Sequence, residues 1–124
     1  MRFLKCKKCG VIVGVIQEPT DGEPFCGGDL EELIPNTVDA AAEKHVPVIA
    51  ADGQTVTVTI GSVDHPMIPE HYIQWIALET KQGMQRKTLS PGDAPNKSFA
   101  LADGDAAVAA YAYCNLHGLW KAEI

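Results

Sequence analysis

The stretch AYAYCNLHGLW, residues 110 to 120, sets Cys114 and His117 three positions apart at the end of an apolar, alternating run. A thiolate and an imidazole at that spacing can share one metal ion. A structural zinc site would close a tetrahedron with further thiolates or imidazoles, and no second cysteine lies nearby. The remaining nitrogen donors are His45, His65 and His71, so the pair and these three exhaust the four histidines of the chain. His65 and His71 flank a proline-rich loop, HPMIPEH, and His45 stands directly before the apolar run VPVIAAD. His117 lies in a turn with Gly118. Taken singly, each has a plain alternative: a free cysteine is often core, and a lone histidine is often a surface residue. Together they fall at strand ends and loops, where a β-sandwich gathers side chains at one edge, and that joint pattern favours a shared metal.

Four imidazoles and one thiolate exceed what a closed structural zinc needs. The nitrogen majority argues against calcium and magnesium, which prefer oxygen. A blue-copper centre uses two histidines and one cysteine on a β-sandwich, but expects a weak axial ligand soon after the last histidine. HGLWKAEI contains no methionine, and two histidines would be left unused. Iron with these five donors and one open position fits the count better. A thiolate donates electron density to iron, and such a site suits one-electron reduction of a small oxygen species. Glu43 and Lys44 immediately precede His45. On most surfaces this dipeptide would be a solvated pair. Beside a metal, Lys44 attracts an anion and Glu43 can occupy or leave the open position.

The elements that must position these residues are β-strands. VPVIAADGQTVTVTIG reads as strand, Asp52-Gly53 turn, strand, with Val56, Val58 and Ile60 on one buried face. HYIQWIALET alternates through Tyr72, Trp75 and Leu78 in imperfect register. MQRKTL, KSFALA, AAVAAYAYC and LWKAEI follow, separated by glycine, proline and aspartate turns. Six or seven short strands at this spacing predict an all-β, immunoglobulin-like sandwich over residues 37–124. VDAAAEKH supports a helical turn that Pro47 keeps short. Residues 1–36 read as a separate small unit: Cys6-x-x-Cys9-Gly leads into a β-branched run, then turn residues, Cys26 and a short apolar stretch. A unit that small lacks a self-sufficient core and needs a metal, a partner chain or the main domain.

Bulk properties narrow the function. The formal charge of −6 disfavours nucleic acid and a polybasic membrane contact. No apolar stretch approaches the ~18 residues of a transmembrane helix. MRFLKCKKCG offers no signal-peptide core, and the cysteines are too few for a secreted disulfide scaffold, so a cytoplasmic location is expected.

NTVDAAAEKHVPVI, GSVDHPMIPEHYIQWI and CNLHGLW closely resemble the desulfoferrodoxin and neelaredoxin family, the superoxide reductases; the resemblance spans residues 35–124. It implies one mononuclear iron per chain, with His45, His65, His71 and His117 as equatorial ligands and Cys114 axial. It implies further that Glu43 ligates the resting ferric iron and that Lys44 assists superoxide binding and proton delivery. The reaction is reduction of superoxide to hydrogen peroxide without release of dioxygen, with a rubredoxin-like protein as donor. The competing reading is an iron electron-transfer protein, or a blue-copper-like module, on the same sandwich. Residues 1–36 resemble the desulforedoxin-like domain of some members, where Cys-x-x-Cys and an adjacent Cys-Cys pair hold a second iron. Here Cys6, Cys9 and Cys26 remain, but Phe25 stands where the pairing cysteine would be. The expectation is a vestigial site without iron or zinc. Members with this domain are typically homodimers and those without it often tetramers, so a homodimer is expected.

Overall fold

The computed structural model describes residues 1–21 and 28–124. The chain divides into two compact units, Met1–Ile34 and Pro35–Ile124. Cys26 and Phe25 lie outside the described residues. Among the described residues, no helix is long and apolar enough to cross a membrane.

The N-terminal unit is a small antiparallel sheet of β1 (Phe3–Cys6), β2 (Ile12–Gly14) and β3 (Leu30–Glu32), with β1 in the middle. Leu4 faces Val13 on one side and Glu32 on the other. Cys6 ends β1, so the Cys-x-x-Cys segment forms the turn that carries the chain back into β2. The strand expected after the cysteines is therefore β2, and the short apolar stretch after Cys26 is β3.

The larger unit holds a short helix, α1 (Ala42–His45), and seven strands: β4 (Pro47–Asp52), β5 (Thr55–Ile60), β6 (Ile73–Thr80), β7 (Gly83–Thr88), β8 (Asn96–Ala100), β9 (Ala107–Cys114) and β10 (Gly118–Glu123). They form two antiparallel sheets, ordered β10-β9-β6-β7 and β4-β5-β8. The all-β expectation is met, and every strand anticipated from alternation is present. The β4–β5 hairpin closes through a two-residue loop whose first position, Gly53, has φ +60°. That conformation suits glycine and matches the twist of a tight hairpin. Alternation on β5 puts Val56, Val58 and Ile60 inward against Ile76 and Leu78 of β6, Phe99 of β8, and Ala110, Ala112 and Cys114 of β9. The imperfect register read in HYIQWIALET has a physical cause. The β6–β9 ladder shifts between Ile73 and Trp75, and β6 is buried on both faces, so neither strict period two nor a polar face survives.

Candidate metal centre

The five sequence-predicted donors reach one point from separate elements. His45 ends α1, His65 lies in the loop after β5, His71 precedes β6, Cys114 ends β9, and His117 sits in the turn into β10. One donor atom from each lies within 4.8 Å of every other. Cys114 is fully buried, and His45 and His65 are nearly so.

Local structure explains the convergence. Pro47 limits α1 to a single turn, which ends with His45 pointing inward and Glu43 and Lys44 exposed. In HPMIPEH, Ile68 and His71 exchange backbone hydrogen bonds of 3.0 and 3.1 Å, pinching the loop so that His71 returns toward the core. Cys114 pairs with Ile73 of β6 and with Gly118 of β10, so the loop bearing His71 and the turn bearing His117 meet beside the thiol.

Three supporting residues escaped the sequence reading. Asn115 laces the two loops together: its Oδ1 accepts from Tyr72 N–H at 3.0 Å, and its Nδ2 donates to Glu70 O at 3.0 Å. Trp120 stacks on His45, centroids 4.8 Å apart, while its Nε1 donates to His117 O at 3.0 Å. Gly61 has φ +86°, and a Cβ there would lie 2.3 Å from Val63 O, 2.8 Å from Lys44 O and 2.9 Å from Glu43 O. Val63 N–H then donates to Glu43 O at 3.0 Å, tying the His65 loop to the turn bearing Glu43 and Lys44. Asn115 carries a weak sequence signal, an amide between two metal donors; Gly61 and Trp120 carry none beyond their type.

The hydrogen bonding defines what the cluster can hold. His45 Nδ1–H donates to Ala41 O and His65 Nδ1–H donates to Pro66 O, each at 2.7 Å. A carbonyl can only accept, so both rings keep their Nε2 lone pairs free and aimed inward. Those two Nε2 atoms face each other at 3.1 Å. His117 Nδ1 lies 3.1 Å from His45 Nε2 and 3.8 Å from Cys114 Sγ. A proton on His117 can satisfy one lone pair and leaves its neighbour opposed. The His71 Nε2 is buried with no hydrogen-bond partner among the described residues. Buried lone pairs converging without a donor are costly. A proton in their midst is disfavoured, because burial lowers the His45, His65 and His71 pKa values, His65 to about 4, and the neighbouring imidazoles lower them further. Burial also pushes the Cys114 thiol up, against the pull of the Leu116 and His117 backbone N–H groups. A metal cation answers all of these at once: it takes the lone pairs and stabilises the thiolate. The donor set suits iron, with soft sulfur and borderline imidazoles and no carboxylate among the five.

Comparison with known proteins agrees with this geometry. The desulfoferrodoxin family model matches residues 37–123. The chain is 47% identical over 123 residues to a desulfoferrodoxin of Syntrophotalea carbinolica, covering 99% of this chain and 96% of that one. It is 33% identical over 103 residues to a superoxide reductase of Pyrococcus horikoshii, covering 69% of this chain and 90% of that one. The crystal structure of the superoxide reductase from Treponema pallidum superposes with a TM-score of 0.79 at 40% identity, covering 97% of this chain and 98% of that one. The chain belongs to the desulfoferrodoxin family.

Proposed function

We propose that the chain is a superoxide reductase, converting superoxide to hydrogen peroxide at one mononuclear iron held by His45, His65, His71, Cys114 and His117. The observation that carries this reading is the convergence of four imidazoles and one thiol on one point, with the His45 and His65 Nε2 lone pairs opposed at 3.1 Å. Bound there, iron supplies one-electron reducing power, enriched by electron density from the Cys114 thiolate. The protein's own residues do the rest. The carbonyls of Ala41 and Pro66 hold two imidazoles in the ligating tautomer. Asn115 and the Gly61 approach fix the loops that carry the donors.

Lys44 is the substrate-capturing residue in this reading. The chain carries a net charge of −6 and repels superoxide at long range. Capture therefore needs a cation within a Debye length of the site, ~8 Å at physiological salt. Lys44 is exposed on the turn that ends in His45, and its charge is felt at His45 and His71. Glu43 supplies a carboxylate on the same turn, which closes the site when substrate is absent. The reaction consumes one electron and two protons per superoxide. A rubredoxin-like protein supplies the electron, the chain works as a cytoplasmic homodimer, and Cys6, Cys9 and Cys26 hold no second iron.

Rapid mixing of the reduced, iron-loaded protein with superoxide tests the reading. Stoichiometric peroxide with turnover supports it, whereas slow oxidation without peroxide identifies an electron carrier. Lys44→Met is expected to lower the bimolecular rate by about tenfold and flatten its salt dependence; an unchanged rate and slope in pulse radiolysis remove Lys44 from the role. Metal analysis is expected to give one iron per chain, and two would restore the N-terminal centre.

A further inference from the structure

The Cys6–Cys9 turn of the N-terminal unit lies outside the chemistry described so far. Cys6 N–H donates to Val11 O at 2.8 Å and Gly10 N–H donates to Cys6 O at 2.9 Å, closing a compact turn. Within it, Cys9 N–H donates to Cys6 Sγ at 3.4 Å. Cys9 is exposed and Cys6 partly so. Both line an open cleft of about 520 Å³ with Lys5, Lys7 and Glu31. This sulfur is therefore accessible, in a cleft of mixed charge, and accepts the backbone N–H of the residue that carries the second thiol. A closed four-thiolate site is not available to a segment with three cysteines. A thiolate that no metal holds is a nucleophile.

We propose that Cys6 and Cys9 form a peroxide-reactive dithiol, with Cys6 the attacking sulfur and Cys9 the resolving one. The Cys6 thiolate attacks one oxygen of hydrogen peroxide, the O–O bond breaks, and the departing hydroxide is protonated to water. Cys6 is left as a sulfenic acid. The Cys9 thiolate then attacks the Cys6 sulfur, the S–S bond forms, and a second water leaves. The two sulfurs together give up two electrons, which reduce the peroxide, and a dithiol reductant regenerates the pair. The oxidant is the product of the proposed superoxide reduction, and only that source depends on the earlier reading.

The test adds hydrogen peroxide directly to the oxidised, iron-loaded full chain, so failure here is separable from failure of superoxide reduction. Expected is a Cys6–Cys9 disulfide by peptide mass mapping, formed about tenfold faster than oxidation of free cysteine at pH 7. Cys9→Ser is expected to leave a sulfenic acid on Cys6 that dimedone traps, and Cys26→Ser to form the disulfide unchanged. Superoxide reduction in Cys6→Ser is expected to be unaltered. The proposal is overturned by a Cys6–Cys26 disulfide, by a rate no greater than that of free cysteine, or by a bound metal that shields both thiols.

Discussion

The two cysteine-bearing regions solve the same problem, placing sulfur near other donors, by opposite means. In the larger unit, donors separated by up to 72 positions in sequence meet because two sheets share one core. Cys114 belongs to that core, so its position is fixed by the packing of β5, β6, β8 and β9. In the N-terminal unit, Cys6 and Cys9 meet because they bracket a single turn, closed by the Cys6–Val11 and Gly10–Cys6 backbone hydrogen bonds with Gly10 at φ +78°. One site is set by tertiary packing and the other by local chain closure. Long-range convergence yields clustered, largely buried donors suited to a metal. Local closure leaves sulfur in contact with solvent and open to reagents.

The sharpest break of this contrast is Cys114→Ser. Hydroxyl for thiol is nearly isosteric, so the fold should survive while the sulfur bond to iron is lost. A thiolate-to-ferric absorption band is expected in the oxidised wild-type protein and its loss is expected in the variant, which should reduce superoxide roughly a hundredfold more slowly. Retention of the band would exclude Cys114 as the ligand. The matching change in the other region, Cys6→Ser, should leave both observables intact.

Gly61→Ala probes the long-range arrangement without touching a donor. The new Cβ would meet three carbonyl oxygens at 2.3 to 2.9 Å, in a backbone conformation that disfavours any side chain. A loss of about 3 kcal/mol in denaturant unfolding is expected, with weakened iron retention because the α1 turn and the His65 loop must separate. A wild-type midpoint would show that this close approach carries little strain.

Much of this was legible in the sequence, and the boundary is instructive. The strands of the sandwich followed from alternation because β5 and its neighbours bury one face each. The five donors followed from scarcity: few histidines, all at strand ends and loops, and one cysteine closing an apolar strand. Gly61 and Asn115 were not legible, because their roles lie in contacts with backbone 17 to 45 positions away that no local pattern encodes. The shift between Ile73 and Trp75 was visible only as an irregular alternation.

The metal-free protein should show the same contrast through pH. Burial depresses the pKa of His45, His65 and His71 below the ordinary value of 6.5, His65 to about 4. The unfolded chain therefore binds more protons than the folded one between those values. Stability is full above pH 6.5 and declines as pH falls toward 4. Thermal melts of the metal-free protein across this window check the sign, and iron should protect, since it occupies the same lone pairs. A flat profile would mean that the imidazoles protonate freely and that the donor cluster opens without metal.

The smallest effect is expected in the N-terminal unit. Arg2 joins distant points of the small sheet: its guanidinium donates to Glu18 through Nε and Nη2, and Nη1 donates to Glu32 at 3.0 Å. These pairs are partly exposed, with side-chain exposure of 27% for Arg2 and 56% for Glu18. Arg2→Met keeps much of the stem and removes the charge. The expected loss is below about 1 kcal/mol, read as faster amide exchange in β1, and it should shrink as salt is added. No change is expected in β5 or β9, whose protection comes from apolar packing rather than from charge. If exchange in β9 rose equally, the two units would unfold together, and local closure would no longer be enough to explain how Cys6 and Cys9 are held.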